Sequence, residues 1–130
     1  MIINKRKQVE HLLGVALPAS VKDIHFKKWC PKSDLSYYEA YLRVESSFED
    51  YLDYTAQLGL KAQNESAHLP TGWSSPAEIT LPWWEANKET PDNALAADFI
   101  ANGYIVAKYE NGYSYFIIHG GMDEMNFGPW

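Results

Sequence analysis

Four histidines and one cysteine are the side chains of this 130-residue chain best suited to metal or covalent chemistry. Metal binding needs ligands brought together in space. His11, His25, His68 and His119 are scattered, no two stand at the i, i+4 spacing of a shared helix face, and none joins a cysteine cluster. Asp123-Glu124 after His119 offers no more than an opportunistic site. Cys30 precedes Pro31 at a strand end, with His25 on the same strand. An activated thiolate needs a base within hydrogen-bond reach, which this spacing alone does not supply, so an inert thiol is the plainer reading. Glu49-Asp50 reads as helix-start charge rather than an acid–base pair, and no glycine-rich phosphate loop follows a strand. The sequence therefore predicts no catalytic residue, no metal and no cofactor.

What remains is aromatic. Five Trp and nine Tyr lift the aromatic share to 15%, and such side chains carry large apolar area with a polar handle in cores and binding surfaces alike. They are positioned by two hairpins. Asn111-Gly112 tolerates the positive φ of a two-residue type I′ turn and stands between two runs rich in β-branched and aromatic residues. That turn sets Glu110 opposite Tyr113, Lys108 opposite Tyr115, Val106 opposite Ile117 and Tyr104 opposite His119. Strand alternation then gives Ile105, Ala107, Tyr109, Ser114, Phe116 and Ile118 to a core face and the other set to an outer face. A first hairpin is expected from strands at Val21 to Trp29 and Tyr37 to Glu45, joined by a turn at Cys30 to Asp34. Its outer face carries His25, Lys27, Trp29, Tyr37, Glu39, Tyr41 and Arg43.

The helices are legible by their ends. Asn4 caps and Gly14 stops a helix over 4–13. Ser46 with Glu49 forms a capping box for a helix over 46–58, its core stripe read as Phe48, Tyr51, Leu52, Thr55 and Leu58, with Gly59 as left-handed stop and Leu60 closing it. Residues 61–90 are punctuated by Pro70, Pro76 and Pro82, yet carry Trp73, Ile79, Leu81, Trp83 and Trp84. They read as a long ordered segment draped over the sheet, with a short strand at Glu78 to Leu81. Thr90-Pro91 predicts a further helix through Ala94 to Ala101, ended by Asn102-Gly103.

Length and 46% hydrophobic content fit one compact domain over residues 1–130. The fold class expected is α+β: an antiparallel sheet built from two hairpins, with helices packed on one face. Net charge −6 argues against nucleic acid and against an anionic membrane surface, because both are recognised by clustered Lys and Arg. One cysteine excludes an internal disulfide, no run approaches a membrane span, and no apolar leader is evident, so the cytoplasm is the expected location.

The arrangement Leu17-Pro18-Ala19-Ser20-Val21, Arg43-Val44-Glu45-Ser46-Ser47, Leu58-Gly59-Leu60, Trp83-Trp84 and Lys108-Tyr109-Glu110-Asn111-Gly112-Tyr113 resembles small uncharacterised bacterial proteins. The resemblance implies bacterial origin and a single domain, and carries over no catalytic residue.

The leading expectation is a non-enzymatic module that binds another protein, in the manner of an immunity protein, with acidic charge favouring a basic partner. Its binding residues would be Trp29, Tyr41, Arg43, Trp84, Tyr113, Tyr115 and His119. Truncating Tyr41 and Tyr115 should then impair binding and leave the fold intact. The alternative is a small-molecule-binding or enzymatic domain with a pocket between the sheet and the Trp73–Trp84 segment. The face matters only if that segment leaves it uncovered.

Overall fold

A computed structural model of the chain describes residues 4–30, 37–62, 73–76, 79–99 and 103–121. Helix α1 spans Lys5–Leu13 and α2 spans Phe48–Gln57; the strands are β1 Lys22–Trp29, β2 Tyr37–Glu45, β3 Lys61–Ala62, β4 Leu95–Phe99, β5 Gly103–Glu110 and β6 Tyr113–Gly121. The six strands form one antiparallel sheet in the order β1-β2-β6-β5-β4-β3, giving a small α+β fold.

At the turn between β5 and β6 both central residues have positive φ, 54° at Asn111 and 87° at Gly112. This hand matches the twist of the flanking strands. Tyr104 lies opposite His119, Val106 opposite Ile117 and Lys108 opposite Tyr115. β6 in turn pairs with β2 along its whole length, from Tyr37 opposite Gly121 to Glu45 opposite Tyr113. The first face of the sheet buries Phe26, Tyr38, Ala40, Leu42, Val44, Ile105, Ala107, Phe116 and Ile118 in a cluster with Val9, Leu12 and Leu13 of α1 and Tyr51 and Tyr54 of α2.

Both helix ends follow local chemistry. Asn4 accepts from the N–H groups of Arg6 and Lys7. After α2, Gly59 at φ 80° donates to Ala56 O and Leu60 to Thr55 O, each at 3.0 Å, so two carbonyls at the helix end are satisfied and Leu60 is tucked into the core. The start of α2 differs from expectation by one residue. Ser47, not Ser46, is the cap and accepts from Asp50 N–H at 3.1 Å. Ser46 is held by the sheet: its N–H donates to Gly112 O and its hydroxyl meets the Ser114 hydroxyl. Tyr51 and Thr55 of the expected core stripe are buried, together with Tyr54, whereas Phe48 and Leu52, also expected there, are exposed at 40% and 45%.

The helix expected at 94–101 is instead strand β4 as far as the described residues run, to Phe99. Alanine is the best helix former, but intrinsic propensity is small per residue and tertiary pairing overrides it. Leu95 and Ala97 pack on the first core while Ala94 and Ala96 lie under Trp73 on the second face. Asn93 fixes the entry. Its side-chain amide donates to Tyr109 O and accepts from Tyr109 N–H, continuing the ladder beyond the strand. Thr90, expected as a helix cap, accepts from Trp73 Nε1. Of the short strand expected at 78–81, position 78 lies outside the described residues and 79–81 are not in a strand. The turn at 31–34 and most of the tail also lie outside them.

Candidate functional site

The second face of the sheet was the expected binding surface, and a segment covers its centre. Trp73, Ala94, Ala96, Tyr41, Val106 and Ile117 form a second buried cluster, with Ile79, Leu81, Trp83, Trp84, Ala86 and Tyr104 packed against it. The rings of Tyr41 and Tyr115 meet that of Trp84 edge-on at centroid distances of 5.3 Å and 5.0 Å. Trp84 Nε1 donates to Trp73 O at 2.6 Å, so the two tryptophans brace the segment as well as filling space. Adjacent Trp83 turns away and stacks on His25 at 5.3 Å.

Two cations on the sheet tie the segment down. Lys108 is fully buried, and its ammonium donates to Asn87 O at 2.7 Å, Glu89 O at 3.1 Å and Glu110 Oε1 at 2.9 Å. These oxygens use the three protons an ammonium offers, and the Trp73 ring lies 5.0 Å from the nitrogen. Arg43 reaches Glu85 Oε1 at 2.9 Å and Asp23 Oδ2 at 3.0 Å, with its guanidinium 4.3 Å from the Tyr113 ring centroid. Asp23 sits at a β-bulge in the left-handed region, φ 52°, a conformation short polar residues tolerate best. There its second oxygen also meets His25 Nε2 at 2.8 Å.

The opposite end of the same face is a row across four strands: Trp29, Glu39, His119 and Tyr104 stand directly opposite one another in turn. The His119 ring lies between Tyr37 and Tyr104, at 4.6 Å and 5.0 Å. Glu39 accepts from the Tyr41 hydroxyl at 3.1 Å. Burial first, and then the Glu39 charge, push the Tyr41 and Tyr104 phenols above their ordinary range, so both stay protonated donors.

The expected site residues thus divide. Tyr41, Tyr115 and Arg43 are buried, at 3%, 3% and 6% exposure, and cannot be truncated without opening the core. Trp84 is half-buried beneath its own segment, and Tyr113 is half-buried beside Arg43. Trp29 and His119 flank Glu39 at the far end, half-buried. Sequence reasoning missed Asp23 and Glu85, because nothing in the sequence links either to Arg43. It also missed Phe48 and Leu52 as surface.

Among the described residues no group of three His, Cys, Asp or Glu is placed to hold a metal ion, and no helix is long and apolar enough to cross a membrane. No family model, curated protein or solved structure matches the chain.

Proposed function

We propose that the chain is a non-enzymatic module that binds a basic protein, in the manner of an immunity protein, and that it does so through α2. One observation carries this reading: Phe48 and Leu52 are the large apolar side chains left exposed among the described residues, and they stand one turn apart on one helix. Phe48 is preset by contact with the rings of Tyr51 and Tyr109 at 6.0 Å and 5.3 Å. On the same helix Glu49 and Asp53 are exposed, and the helix contains no lysine or arginine. Apolar anchors flanked by carboxylates suit a partner that offers an apolar pocket beside cations. A second copy of the chain fits poorly, since it would bring the same carboxylates face to face.

The rival reading is a ligand pocket between sheet and segment; against it, among the described residues Trp73, Trp84, Tyr41 and Tyr115 pack on one another there.

The test is selection of displayed peptides on the full chain, with a Phe48→Ser/Leu52→Ser variant as counter-target. The expected winners combine Lys or Arg with a large apolar residue, weaken with salt, and lose at least tenfold in affinity on the variant. Neutral or acidic winners, winners that bind the variant equally, or dimerisation of the chain through this patch would each contradict the proposal.

A further inference from the structure

The geometry points to a second contact for the same partner: the Glu39 end of the sheet is a seat for an arginine side chain. This rests on the reading that the partner is basic, and it names the chemistry of one subsite.

The two ends of the second face carry the same components. At one end the chain's own Arg43 lies over the Tyr113 ring with its two terminal nitrogens on Glu85 and Asp23. A planar, weakly hydrated guanidinium favours this combination of aromatic surface and carboxylate. At the other end stand a carboxylate and aromatic surface without a guanidinium. Half-buried Glu39 accepts one hydrogen bond, from Tyr41, and among the described residues forms no ion pair. An ionised carboxylate has about four acceptor positions, so most of this one's capacity remains. Trp29 lies directly across on β1 and His119 directly across on β6. His119 Nδ1 is itself buried without a hydrogen-bond partner among the described residues. Among the described residues Lys27 is the next cation along the face, one rung along β1 opposite Tyr41, and it is exposed. A guanidinium stacked against Trp29 reaches Glu39 with its fork, which a point-like ammonium does not reproduce.

The subsite is testable without the partner. The full isotope-labelled chain is titrated with N-acetyl-arginine amide, and amide and indole shifts are followed. Parallel arms use the blocked lysine, the uncharged citrulline analogue and free arginine. The expected result is saturable shifts at the Trp29 indole and at residues 39, 104 and 119. Binding should be weaker for lysine, lost for citrulline, and no tighter for free arginine than for the blocked form. Glu39→Gln, which keeps an acceptor for Tyr41, should weaken binding at least tenfold, as should Trp29→Leu, with the rest of the spectrum unchanged. Equal binding by Glu39→Gln or by citrulline, or shifts confined to α2, would overturn the subsite. Free arginine binding a hundredfold tighter than the blocked form would make it a metabolite site and overturn it as well. Each of these outcomes leaves the Phe48 and Leu52 test independent.

Discussion

Lys108 and Glu110 lie two residues apart on β5, 2.9 Å apart at their charged atoms, and together they grip one stretch of backbone. The ammonium binds the carbonyls of Asn87 and Glu89, while Glu110 Oε2 accepts from the Asn87 N–H at 3.0 Å. Removing one member strands the other. Lys108→Met should therefore cost about 3–5 kcal/mol, whereas Lys108→Met/Glu110→Gln should recover part of the loss. Urea unfolding of the single and double variants measures both. If the single change costs less than about 1 kcal/mol, this grip does not hold the segment.

Tyr41 is the test of whether the second face is core. Its ring packs against Trp84 and its hydroxyl donates to Glu39. Tyr41→Ala should cost about 3 kcal/mol or more, the range of aromatic truncations in a packed interior. A loss near zero in chemical denaturation would return Tyr41 to the surface.

Gly120 is required by packing rather than by backbone freedom. A Cβ there would lie 2.5 Å from the ring of Tyr38, which is fully buried and cannot swing aside. Gly120→Ala should destabilise by about 1–3 kcal/mol. The companion change Tyr38→Phe should not rescue it, because the clash involves ring carbons as well as the hydroxyl.

Burial pushes the Lys28 ammonium down from 10.5 to about 8. Between those values the unfolded chain holds a proton that the folded chain has released, so this residue's contribution to stability rises with pH across the window. Above about pH 10 the sign reverses elsewhere: burial raises the phenols of Tyr41, Tyr51 and Tyr54, and the unfolded chain ionises first. Denaturation midpoints from pH 7 to 11 should rise and then fall. Lys28→Met should remove the rise and keep the fall; a rise of unchanged size would exclude Lys28 as its source.

Legibility followed the range of the interactions. The Asn111-Gly112 turn, the Asn4 cap and the Gly59-Leu60 stop are written within a few residues, and the backbone bonds they form are local. The β4 strand was not legible, because its evidence is the Asn93–Tyr109 pairing and the fit of Ala94 and Ala96 under Trp73, contacts between distant residues. The second face was read correctly as to which residues share it. Whether it is open depended on Lys108, Glu110, Arg43 and Glu85, whose roles emerge only when the segment is laid across the strands. The α2 surface was not legible because the i, i+3, i+4 pattern marks an apolar stripe but not which edge of it the sheet covers.

The most direct measurement is amide-resolved mapping of a selected basic peptide on the full chain. Binding through α2 should shift residues 45–57, leave the Trp84 indole unmoved, and leave hydrogen-exchange protection at Asn87 unchanged. Shifts centred on Trp83 and Trp84 with lost protection at Asn87 would mean that the partner lifts the segment and binds the sheet face, contradicting the assignment to Phe48 and Leu52.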